Sequence, residues 1–140
     1  MNISTKVLSA VAVLGITLFA TSSASAKDEI DGKANLLCAA FDVMACLDSG
    51  ICRRGEARTF DLPEFMKVDF KQKAVTVTYD GKTANSPIKN SEITGNQLVL
   101  QGIENNHGWT VAIHRQTGRM NVSSVGYEVS FTIFGACKAL

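Results

Sequence analysis

The sequence predicts an all-β domain: a small antiparallel up-and-down meander of about eight strands, closed into a barrel and stabilised by disulfides. Three observations predict it. From Phe65 onward, apolar residues recur at every second position, the period of a strand with one buried face. Glycine- and asparagine-bearing clusters punctuate the runs at hairpin intervals. Four cysteines, Cys38, Cys46, Cys52 and Cys137, give an even count suited to a disulfide framework. An open sandwich is the competing architecture.

The first 26 residues, MNISTKVLSAVAVLGITLFATSSASA, read as a cleaved secretory signal peptide. Lys6 supplies the positive start, Val7 to Ala20 the apolar stretch, and Ala24-Ser25-Ala26 a small-residue cleavage site. That stretch is shorter than the roughly 20 residues a spanning helix needs, so no stable membrane span is expected after cleavage. Leu36-Leu37-Cys38 has the look of a lipid-attachment box but lies too far beyond the apolar run. Residues 27–140 then form a single β domain, expected to be periplasmic or secreted.

Removing Lys6 with the leader leaves 13 basic and 13 acidic residues, a net charge of zero. No basic stripe stands out, so a nucleic-acid partner is not expected. Zinc would want close cysteine pairs, whereas the gaps here are seven, five and eighty-four residues. No metal or cofactor is assigned. Three disulfide connectivities are possible. Asp48-Ser49-Gly50 between Cys46 and Cys52 favours a bridged turn, which leaves Cys38 to pair with Cys137 and tie the first strand to the last.

Leu36 to Leu47 is ambiguous. Leu37, Ala39, Phe41, Val43, Ala45 and Leu47 alternate, while Leu37, Phe41 and Met44 also fit a helix. Strand is preferred, because the turn and the cysteines suit a hairpin. Met66, Val68 and Phe70 share a face, as do Val75, Val77 and Tyr79. Leu98 and Leu100, then Trp109, Val111 and Ile113, then Met120 and Val122, and finally Val129, Phe131 and Ile133 repeat the pattern. Asp80-Gly81, Thr94-Gly95-Asn96, Asn105 to Gly108, Gln116-Thr117-Gly118 and Val125-Gly126 are the expected turns. Pro63 and Pro87 are expected at strand starts or edges, where a missing N–H is tolerated.

The cysteine-rich opening, LPEFMKVDF, NSPIKN, LVLQGIENNHGW, TGRM and the closing FGAC together resemble a group of small, uncharacterised exported bacterial proteins. The group shares an LQG-x-EN-x-x-GW motif, and the likeness runs from about Leu37 to Cys137. It implies a bacterial exported domain and carries no activity, ligand or catalytic residue.

No catalytic residue is assigned. His107 and His114 lie seven apart on opposite parities, unlike a strand-borne metal pair, and His107 is expected at the surface of a turn. Glu104 and Glu128 lack a visible desolvating partner, and Ser123-Ser124 lack the strand–turn–helix setting of an activated serine. The expected function is that of an exported, non-catalytic binding protein. The favoured ligand is a small, partly apolar molecule inside the barrel, touching Trp109, Tyr79, Phe131 and Met66, with Phe70 on the same lining. The alternative is a protein-interaction module, an inhibitor or accessory subunit of an envelope complex. Its partner would meet the loop Glu104, Asn105, Asn106 and His107. A hollow interior favours the first reading and a filled one the second.

Overall fold

The computed structural model describes residues 29–140. The expected signal peptide, residues 1–26, lies outside the described residues. Leu36–Leu47 is a strand, β1, as preferred over a helix, but not with the expected face inward throughout: Leu36, Cys38, Val43 and Ala45 are buried, while Leu37, Phe41 and Leu47 are exposed. Seen from the backbone, the reason for a strand is that both its edges find partners. One edge pairs antiparallel with β9 (Val129–Ala139) along the whole length, from Leu36 opposite Ala139 to Leu47 opposite Val129. The other edge is divided: Leu36 to Ala39 pair with β3 (Phe65–Asp69), and Val43 to Cys46 with β2 (Cys52–Gly55). A bulge between Ala40 and Asp42 bends β1 where it changes partners.

The remaining strands follow in chain order: β4 (Ala74–Tyr79), β5 (Lys82–Thr94), β6 (Gln97–Glu104), β7 (His107–His114) and β8 (Arg119–Val125). Each pairs antiparallel with its neighbour, and β8 meets β9. β1 and β3–β9 therefore form a closed eight-stranded barrel, with β2 attached beside it. A short 3-10 helix, Ala57–Phe60, links β2 to β3.

The two disulfides follow from this register. Cys38 lies directly opposite Cys137 on the β1–β9 pair, and Cys46 opposite Cys52 on the β1–β2 hairpin. Both pairs are bonded, and the first spans 99 residues of chain.

Two further sequence expectations need correction. Pro87 stands inside β5 rather than at a strand start or edge. β5 changes partners there: Lys82 to Pro87 pair with β4, and Ile88 to Thr94 with β6. A residue without an N–H is tolerated where one ladder stops and another begins. The turn expected over Asn105 to Gly108 is also shorter. Asn105 and Asn106 alone turn, with φ of 47° and 64°, while Gly108 pairs with Ile103 inside the sheet. Two left-handed residues make the tight hairpin whose twist matches the flanking strands.

Most of the fully buried core, Val43 of β1 apart, sits toward one end of the barrel. Leu36, Cys38, Val68, Leu98, Leu100 and Ile113 are essentially solvent-free there. The segment before β1 covers that end, burying Ile30. The Ile30 N–H donates to the Arg115 carbonyl at 2.9 Å, and Arg115 Nε donates back to the Ile30 carbonyl at 3.0 Å. Arg115 also pairs with Glu29 at 3.2 Å. Leu140 N–H donates to the Asn35 carbonyl, fastening the last strand to the same cover. Among the described residues, no helix is long and apolar enough to cross a membrane.

Candidate functional site

The opposite end is open. Period-two alternation carries Met66, Val75, Val77, Val111, Val122 and Ile133 to the inner wall, but none of the described residues fills the space between them. A cavity of about 330 Å³ results. An eight-stranded barrel is just wide enough for side chains to fill or for one small ligand to enter. This one does the first at its closed end and leaves room for the second at its mouth.

Trp109 shapes the wall. It faces Gly102 across the β6–β7 pair, and its indole lies over that glycine so closely that a Cβ there would overlap the ring. Glycine is thus required for close approach rather than for a turn. The indole reaches past β6 to β5, where Nε1 donates to Ser86 Oγ at 2.8 Å. A side-chain hydroxyl therefore satisfies the partly buried N–H.

The mouth is built from β6, β7, β8 and β9. The His107 ring stacks on Phe131, with centroids 6.3 Å apart and planes inclined by 27°. Its Nδ1 lies 3.4 Å from Ser124 Oγ. Phe60, from the 3-10 helix, meets Phe131 edge-on at 6.5 Å. Leu62 and Pro63 close the side nearest that helix, and Glu104 and Asn105 border the opening. The expectation of a surface His107 is corrected. It begins β7 on the same parity as Trp109, so its ring turns inward against Phe131.

The structure brings together most of two residue sets that the sequence kept apart. Met66, Trp109 and Phe131, expected to touch a ligand, line the cavity. So do Glu104, Asn105 and His107, expected to face a partner, while Asn106 occupies the exposed tip of the turn. Tyr79 is off the lining: its hydroxyl donates to Asp61 Oδ1 at 3.0 Å outside the mouth, which holds the phenol above its ordinary pKa. Phe70 lies toward the closed end, beside Gly32, Lys73 and Ile88. Ser86, Ser124, Leu62, Pro63 and Ala84 are lining residues that the sequence pattern did not assign to a site. For Ser124 the signal was present, because it continues the inward series Met120, Val122.

A larger depression, about 540 Å³, lies against the outer wall beside Phe41, Ala112, Asn121 and Phe134. His114 borders it, with its Nδ1 accepting the Thr117 N–H at 3.3 Å. Among the described residues, no three histidine, cysteine, aspartate or glutamate side chains are grouped to hold a metal ion. The residues of the inner cavity can enclose an apolar body and offer hydrogen bonds at its mouth. Comparison with protein-family models, curated proteins and solved structures returns no match.

Proposed function

We propose that the chain is an exported, non-catalytic binding module that holds a small, partly apolar molecule in the open end of its barrel. The cavity carries this reading. Its volume of about 330 Å³ falls at the lower end of the roughly 300–1,000 Å³ of small-ligand sites, and an apolar wall with a few polar groups is their usual lining. Ser86, Ser124 and His107 supply those polar groups. The leader-like first 26 residues and two disulfides support a periplasmic or secreted setting.

The test is uptake of decanol by isothermal titration calorimetry, with the Trp109 emission followed in parallel. Ala84 borders the cavity from an exposed position on β5, so Ala84→Phe should narrow its opening and weaken decanol binding by about tenfold or more without lowering the melting temperature. Equal binding by that variant, or none by the parent protein, would refute the reading.

A second reading, an inhibitor or accessory subunit of an envelope complex, draws on the outer wall. Phe41, Phe65 and Phe134 are 64, 57 and 44% exposed, and Phe65 and Ala136 both pair with Ala39 of β1. Exposed aromatic clusters mark interaction surfaces more often than isolated apolar residues do. Crosslinking in the native host that loses its product on Phe41→Ser and Phe134→Ser would favour this reading over the first.

A further inference from the structure

We infer that the occupant of the cavity is a cationic amphiphile, an amine carrying an apolar body of about ten non-hydrogen atoms. The inference rests on the ligand-binding reading and adds the sign of the ligand's charge. The size comes from the cavity of about 330 Å³, taken at the roughly 30 Å³ that a water-sized group occupies in a liquid.

The sign comes from how charge is distributed along the barrel. The described residues carry as many acids as bases, yet the two kinds are segregated. The half of the barrel at the mouth is formed by residues 41–65, 77–87, 101–109 and 123–134, which hold eight acids and four bases. The closed half holds the remaining four acids and eight bases. Within the mouth half, Arg54 pairs with Asp42 and Arg58 with Glu64, so these four largely cancel. Asp48, Glu56, Asp61, Asp80, Glu104 and Glu128 then face only Arg53 and Lys82.

On the lining itself the same sign prevails. Among the described residues Glu104 is its only carboxylate, no lysine or arginine shares the wall, the one basic side chain is the His107 imidazole opposite Glu104 on the hairpin, and no ion pair joins Glu104 to another residue. A low-dielectric cleft with one sign of charge at its mouth focuses the field and concentrates ions of the opposite sign. An ammonium group beside Glu104, with its chain directed toward Val75, Val111 and Val122, satisfies both parts of the site. A carboxylate head in the same place would meet Glu104 as a like charge without a compensating cation.

The experiment compares decylamine, decanol and decanoate on the intact domain at neutral pH and low salt. The expected order is amine, alcohol, carboxylate, with the amine favoured over the carboxylate by about tenfold or more, as one close charge pair near a surface supplies. Raising the salt to about 0.5 M should shrink that ratio, because exposed charges are then screened within a few ångströms. Glu104→Gln should bring the low-salt preference for amine over alcohol down toward its value at high salt. Decanoate binding as tightly as decylamine, or a ratio unmoved by both salt and Glu104→Gln, would overturn the inference. In those cases the cavity reading survives if decanol still binds. Failure of all three compounds would overturn both.

Discussion

Removing the Cys38–Cys137 bond should cost about twice what removing Cys46–Cys52 costs, although both bridge adjacent strands. The perturbation is a pair of double variants, Cys38→Ala with Cys137→Ala and Cys46→Ala with Cys52→Ala. Alanine is chosen because Cys38 and Cys137 are 0 and 3% exposed, and a serine hydroxyl there would add its own burial penalty. The loops closed span 99 and 6 residues of separation. In the chain-entropy relation, these lengths give about 4.7 and about 2.4 kcal/mol at 25 °C. Residual structure in the unfolded chain lowers both figures, but their order is preserved. Against a net stability of roughly 5–15 kcal/mol, the first loss removes a third or more of what holds the domain folded. Urea unfolding followed by circular dichroism, without reductant, measures both. Equal losses, or a larger loss from the short loop, would refute the argument that closing the long loop dominates. Each single Cys→Ala variant of the long bridge should lose about 2–5 kcal/mol, and the double alanine variant should be little worse, since one bond is broken in each case.

Gly102→Ala should destabilise by about 1–3 kcal/mol and shift the Trp109 emission, because the added methyl displaces the indole from its seat. A stable variant with unchanged emission would mean that the ring does not rest there. Ser86→Ala should cost about 1–3 kcal/mol by leaving the indole N–H without an acceptor, whereas Trp109→Phe with Ser86→Ala should recover part of that loss; urea midpoints decide. Arg54 beside Asp42 holds that carboxyl below its ordinary value of 3.8, chiefly through the Nε hydrogen bond at 2.7 Å. A depressed folded-state value means the stabilisation is fully present above pH 3.8 and fades as pH falls through the lower folded value. Asp42→Asn should therefore lower the urea midpoint at neutral pH and flatten its fall below pH 3.8. An unaltered acid limb would count against it.

The fold was legible where one face is buried and the other is wet. β3, β4, β6, β7, β8 and β9 all announce themselves by alternation, and the cysteine pairing followed from placing the first strand beside the last. β5 was not legible. Its sequence, KTANSPIKNSEIT, is polar at most positions and exposed along most of its length, so no period marks it. Its extended form comes from two neighbours that each claim half of it. The site was half legible for a related reason. Parity placed Met66, Trp109 and Phe131 inside, yet it could not say that Tyr79 would leave the lining for Asp61. Nor could it show that Gly102 and Ser86 serve one indole, since that contact depends on three strands meeting in space.

β1 and β9 lie against one another over 11 residues of β9, while their sequences are almost the whole domain apart. On a chain made from its N-terminus, β1 therefore waits for nearly every other strand to appear before its longest partner exists. Cys46 and Cys52 can meet as soon as their hairpin has emerged, but Cys38 must stay unpaired until Cys137 arrives. Its nearest thiols in that interval belong to the wrong bridge. Oxidation of the six-residue-separated pair would take both of them out of reach, and its thiols meet in well under a microsecond, long before the seconds that oxidation itself needs. A bridge to β2, the one strand outside the ring, would thus leave Cys38 free for the bond that seals it.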